Sequence, residues 1–162
     1  MNYVKLMIGL LALTTFLSAE APEIKESDIP KKVIQTRNKK AAILKHKTTV
    51  WSKNAAGEFV AERKIGGGED MPPDQTITGK FQENGTWLET ETVIGPYSAK
   101  VRQKLMPKPV FNACRKLAKK AGSDDFSGGV TIRDLPGKYT VEASCGDKRF
   151  TFDKKAKVLK EE

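Results

Sequence analysis

The sequence predicts an α+β fold: antiparallel β-hairpins form one meandering sheet, an amphipathic helix at about residues 109–121 packs across it, and a disulfide clasps the two. Three patterns carry that expectation. Asn84-Gly85 stands between two β-rich runs, 76–82 and 86–94, and Asn-Gly is the strongest short hairpin signal because both residues tolerate positive φ. Val110, Cys114, Leu117 and Ala121 recur at i, i+4, i+7 and i+11, widened by Phe111 and Ala118, which is the apolar stripe of a helix. Tyr139, Val141, Ala143 and Cys145 alternate with Thr140, Glu142 and Ser144, as in a strand with one buried face.

In chain order, Met1 to Val4 and a single Lys5 precede a run from Leu6 to Leu17 without charge, and Ser18-Ala19 follows. These are the parts of a secretory signal peptide, here 1–19 with cleavage after Ala19. The run is shorter than the roughly 20 residues that span a bilayer. No cysteine lies near the cleavage site, so no lipid anchor is expected and the mature chain is placed in the periplasm or secreted. Residues 20–42 read as a polar, basic N-terminal arm, beginning with an extended leader to Pro30 and continuing into an acid-free stretch, 31–47. Residues 43–153 form the single α+β domain, and 154–162 a charged tail.

Within the domain, Ile43 to Trp51 suits a strand, with β-branched Thr48, Thr49 and Val50. Asn54-Ala55-Ala56-Gly57 turns the chain into a second strand, 58–65. Gly66 to Asp74 holds three glycines and paired prolines and reads as a long exposed loop. After the Asn84-Gly85 hairpin, 98–106 leads to the helix with Lys100, Arg102 and Lys104 exposed. Gly122 is placed to cap that helix, and its late lysines suit the negative end of the helix dipole. Short strands follow at 130–133, 139–145 and around Phe150 and Phe152. No internal repeat is evident.

The two cysteines of an exported chain are expected to pair. A Cys114–Cys145 bond closing a loop of this length stabilises by about 3–4 kcal/mol in the chain-entropy model. The chain has one histidine, His46, with no nucleophile placed beside it, which argues against triad catalysis. The residues offer no metal or cofactor site: the glycines of 66–68 are followed by acids and prolines instead of a phosphate-loop Lys, and Asp124-Asp125 lacks the alternating ligands of a calcium loop. Two-carboxylate chemistry has one candidate, Glu89 and Glu91 on one strand face beside Trp87. Their competing role is a solvated hairpin face balanced by lysines. Asn84-Gly85-Thr86 also meets the N-glycosylation sequon.

The formal charge of +9 falls to +8 when Lys5 leaves with the signal peptide. Lys31, Lys32, Arg37, Lys39 and Lys40, together with Lys108, Arg115, Lys116, Lys119 and Lys120, are the candidate surface for an anionic partner. That partner is an envelope polymer, a membrane surface or an acidic protein. No motif for sequence-specific nucleic-acid reading is present. The expected function is an exported, soluble, non-catalytic binding protein. The alternatives are an inhibitor or accessory partner of another exported protein working through the 66–74 loop, and a small hydrolase using Glu89 or Glu91. The spacing of Trp51, Gly57, Gly79, Trp87 and Gly95 resembles small-barrel modules that bind bacterial cell walls. Leu135 to Val141 resembles the final hairpin of extracellular β-sandwich domains. The intervening helix departs from both folds.

Overall fold

The computed structural model describes residues 21–68, 71–96, 99–123, 126, 128–146 and 148–162; the expected signal peptide lies outside them. Eight strands pair in chain order, all antiparallel, in one sheet: β1 (Val50–Lys53), β2 (Phe59–Ile65), β3 (Gln75–Phe81), β4 (Trp87–Ile94), β5 (Val130–Leu135), β6 (Lys138–Cys145), β7 (Lys148–Phe152) and β8 (Val158–Glu161). Three α-helices accompany them among the described residues: α1 (Lys31–Lys40), α2 (Ala99–Leu105) and α3 (Lys108–Lys120). The fold is α+β, with a single open sheet in place of a barrel or sandwich.

Strand alternation sends one set of side chains to the helical face. Register ties Ile77 of β3 through Thr92 of β4 to Ile132 of β5, so all three share that face. The core on it divides in two. Ile29, Val33, Leu44, Trp51, Phe59, Ala61, Ile77 and Phe81 form one cluster. Ile94, Val110, Cys114, Ala118, Phe126, Val130, Val141, Phe150 and Phe152 belong to the other. Half-buried Thr90 and Thr92 of β4 lie between them, and their hydroxyls interrupt the apolar surface. Apart from Ile94 at the end of β4, which joins the second cluster, each cluster belongs to one unit built of helical segments followed by a four-stranded meander: α1, a 3-10 turn at Ala42–Leu44 and β1–β4, then α2, α3 and β5–β8. The chain thus repeats its architecture, where its residues show no repeat.

The segment expected as an arm is built into the first unit. Ile24 N–H donates to the Trp51 carbonyl at 2.7 Å, extending the sheet beyond β1. Helix α1 buries Val33 and Arg37, and Ile29 ahead of it and Ala41 at its C-cap are buried at the same four-residue spacing. The strand expected from Ile43 begins only at Val50, because Leu44 is drawn into the core and the Thr49 hydroxyl donates to its carbonyl at 2.7 Å. Gly79 makes that insertion possible: a Cβ there would come within 2.7 Å of Leu44 Cδ1. The 98–106 segment holds α2, and its Arg102, expected at the surface, is 3 % exposed. The charged tail supplies the edge strand β8.

The central hairpin and the cap of the long helix match the expectation. The Asn84-Gly85 hairpin joins β3 and β4 with Gly85 at φ +89°, and Asn84 Oδ1 accepts from Thr86 N–H at 2.9 Å. Helix α3 ends with Gly122 at φ +82°. Ser123 N–H bonds to the Ala118 carbonyl and Gly122 N–H to that of Lys119, at 3.0 and 3.1 Å, the paired bonds of a Schellman cap.

Candidate anion-facing surface

The three α-helices carry cations and no acid, although an acidic 3-10 turn, Glu26–Asp28, lies beside α1 and Glu161 lies beside α3. Two acid-free stretches, 31–57 and 92–123, carry eight Lys or Arg each, and between them they build all three helices. Lys31, Lys32, Lys39 and Lys40 on α1, and Lys108, Arg115, Lys116, Lys119 and Lys120 on α3, are exposed. Helices α1 and α3 have their apolar sides held on the sheet, so these lysines and Arg115 are left facing outward. The structure brings both sets to one face of the sheet. It seats them over different halves, α1 against the first core cluster and α3 against the second.

Arg37 is a correction to the expected surface. It is 2 % exposed. Its guanidinium donates to both Glu26 carboxylate oxygens at 3.0 and 3.3 Å and to the Leu44 carbonyl at 3.0 Å. It also lies 5.7 Å from the centre of the Trp51 ring, whose indole N–H reaches Glu26 at 3.3 Å. Arg37 therefore ties the leader, α1 and β1 together, and it presents no charge to a partner. Arg102 plays a similar part in the second unit, 5.1 Å from the Phe126 ring centre and donating to the Pro96 carbonyl at 2.5 Å.

The opposite face of the sheet carries both signs, paired across strands or, for Lys64 and Glu62, along β2. Lys80 meets Glu89 at 2.5 Å, Arg133 meets Glu91 at 2.7 Å and Glu142 at 2.9 Å, and Lys64 meets Glu62 at 3.2 Å. The hydrogen bond that Lys80 donates to Glu89 holds its ammonium protonated above its ordinary range, and the bond that Arg133 donates to Glu91 does the same for the guanidinium. Two carboxylates engaged in this way on an open sheet face are poorly placed to exchange protons with a substrate. Nor does Trp87 stand beside them. The register shifts between Lys80 and Phe81, setting Trp87 opposite Phe81 on the helical face, where Lys40 lies 5.5 Å from its ring centre. A strand read by simple alternation puts residues 87, 89 and 91 together; the bulge separates them.

His46 is exposed, and its Nδ1 lies 2.9 Å from the Thr48 hydroxyl. No group of three or more His, Cys, Asp or Glu suited to a metal occurs among the described residues. Cys114 and Cys145, expected as a disulfide, are free thiols in this structure; they are 0 % and 2 % exposed and lie 3.6 Å apart, one on α3 and the other at the end of β6. Hydrogen bonding to Cys145 and burial both push the Cys114 thiol up. Among the described residues no helix is long and apolar enough to cross a membrane.

No family model matches the chain, and no curated protein matches it. Among solved structures it is similar to a DUF2874 family protein of Bacteroides ovatus, with 18% identity over 82% of this chain and 86% of that one and a TM-score of 0.49. A candidate periplasmic protein of Bacteroides eggerthii shares 20% identity over 82% and 87%, with a TM-score of 0.48. A DUF2874 family protein of Bacteroides uniformis shares 16% over 82% and 88%, with a TM-score of 0.46. Likeness of this degree carries neither fold nor function from one chain to another.

Proposed function

We propose that this is an exported, soluble, non-catalytic binding protein whose helical layer engages an anionic partner, with Cys114 and Cys145 joined as a disulfide. The observation that carries the reading is the distribution of charge: acid-free α-helices on one face, paired charges of both signs on the other. A cation balanced by a neighbouring acid offers a partner little net field, whereas unbalanced cations on one face sum their fields. Export rests on the N-terminal sequence, which has the three parts of a signal peptide. The disulfide reading rests on two buried cysteines 3.6 Å apart in a chain bound for an oxidising compartment.

The direct test is retention of the mature protein on an immobilised anionic polymer. Binding at low salt that is lost as salt screens the surface is the expected result. Failure to bind at low salt would remove the reading. The hydrolase alternative finds no support in the geometry of Glu89 and Glu91, each held by a cation. Replacing both with Gln is expected to leave polymer binding unchanged.

A further inference from the structure

The polar row on α3 repeats the spacing of its apolar stripe, two residues earlier. Lys108, Asn112, Arg115 and Lys119 stand at i, i+4, i+7 and i+11, as Val110, Cys114, Leu117 and Ala121 do. Two residues are about 200° of rotation on a helix of 3.6 residues per turn. Val110 and Cys114 are fully buried on the sheet, so the row points away from it. Lys116 borders the row, and Asn112, Arg115, Lys116 and Lys119 line a shallow groove. From Lys108 to Lys119 the row is about 16 Å long. Neither the three cations of the row nor the bordering Lys116, four charges in all, forms an ion pair with an acid among the described residues.

We propose that this row binds a linear polyanion, laid along α3 so that successive anionic groups meet successive turns; the inference rests on the reading of the helical layer as anion-facing. Two features favour a chain over a bilayer. The apolar side of α3 is turned into the core, with Phe111, Ala113 and Leu117 partly buried there. An interfacial helix needs such residues free to enter the acyl boundary. The charges also stand in line, whereas α1 divides its lysines between its first and last turns with Arg37 buried between them. Helix α1 is therefore an internal control of like charge without the row.

The test measures binding of the full mature protein to long-chain inorganic polyphosphate, to tripolyphosphate, and to phosphatidylcholine vesicles containing phosphatidylglycerol. Long polyphosphate is expected to bind at least about tenfold more tightly than tripolyphosphate, with log affinity falling against log salt at a slope of about −3 for four neutralised charges. Lys116→Glu with Lys119→Glu is expected to weaken that binding about tenfold or more, and Lys31→Glu with Lys39→Glu by much less. Lys116→Gln with Lys119→Gln, which adds no charge, is expected to weaken it in the same direction by a smaller factor. Equal losses from the α3 and α1 reversals, or vesicles bound more tightly than the polymer, would overturn the row while leaving an anion-facing layer intact. Absence of binding to all three probes would overturn both.

Discussion

Arg37 shows how one residue hides an element. Ile29, Val33, Arg37 and Ala41 form a buried stripe at four-residue spacing, and a cation in the middle of it breaks the apolar period that marks a helix. Nothing in the residues alone shows that Trp51 and Glu26 will receive that cation. Replacing Arg37 with Ala leaves Trp51 without its cap and the Leu44 carbonyl without a charged donor. The expected cost is about 2–3 kcal/mol in denaturant unfolding. Lys is expected to recover little of it, because one ammonium cannot span two carboxylate oxygens and a carbonyl as a guanidinium fork does. A change under about 0.5 kcal/mol, the range of an ordinary surface substitution, would count against this account of the leader. Gly79 is a second hidden determinant. A glycine within a strand reads as a weakness, yet here it admits Leu44. Gly79→Val is expected to cost about 1–3 kcal/mol through overpacking, read as a lower midpoint of thermal unfolding.

At the scale of elements, legibility followed periodicity. Helix α3 and strand β6 each keep a single period, so their faces, both cysteines and the Gly122 cap could be read directly. Strand β4 could not, because its bulge moves Trp87 to the other face and no residue type announces a bulge there. The 98–106 segment is short and has a cation buried in it, Arg102, and the tail carries few apolar residues, so their helix and edge strand are set by what they pack against. The junction between α3 and β6 carries a prediction of its own. Intact mass should show the mature protein two hydrogens lighter before reduction than after it. Replacing both cysteines with Ser should lower stability by about 3–4 kcal/mol in the chain-entropy model. Two free thiols in protein recovered from the exported compartment would contradict the clasp.

For the whole molecule, the order of elements explains what composition alone leaves open. Two units, each of helical segments followed by a four-stranded meander, set all three helices on one face of one sheet. The acid-free stretches coincide with those helices, so a charge imbalance along the chain becomes an imbalance between two faces. The first of these stretches was visible as a basic run. Its alignment with the second was not, since that depends on the register joining β4 to β5. Basicity without this segregation would serve solubility equally well, so the faces must be compared at equal net charge. The comparison sets Lys116→Glu with Lys119→Glu, on the helical layer, against Lys64→Glu with Lys160→Glu, on the opposite face, in binding to one anionic polymer at about 50 mM salt. The account predicts that the first pair weakens binding about tenfold or more while the second changes it by less than about threefold. Equal losses from the two pairs would contradict it.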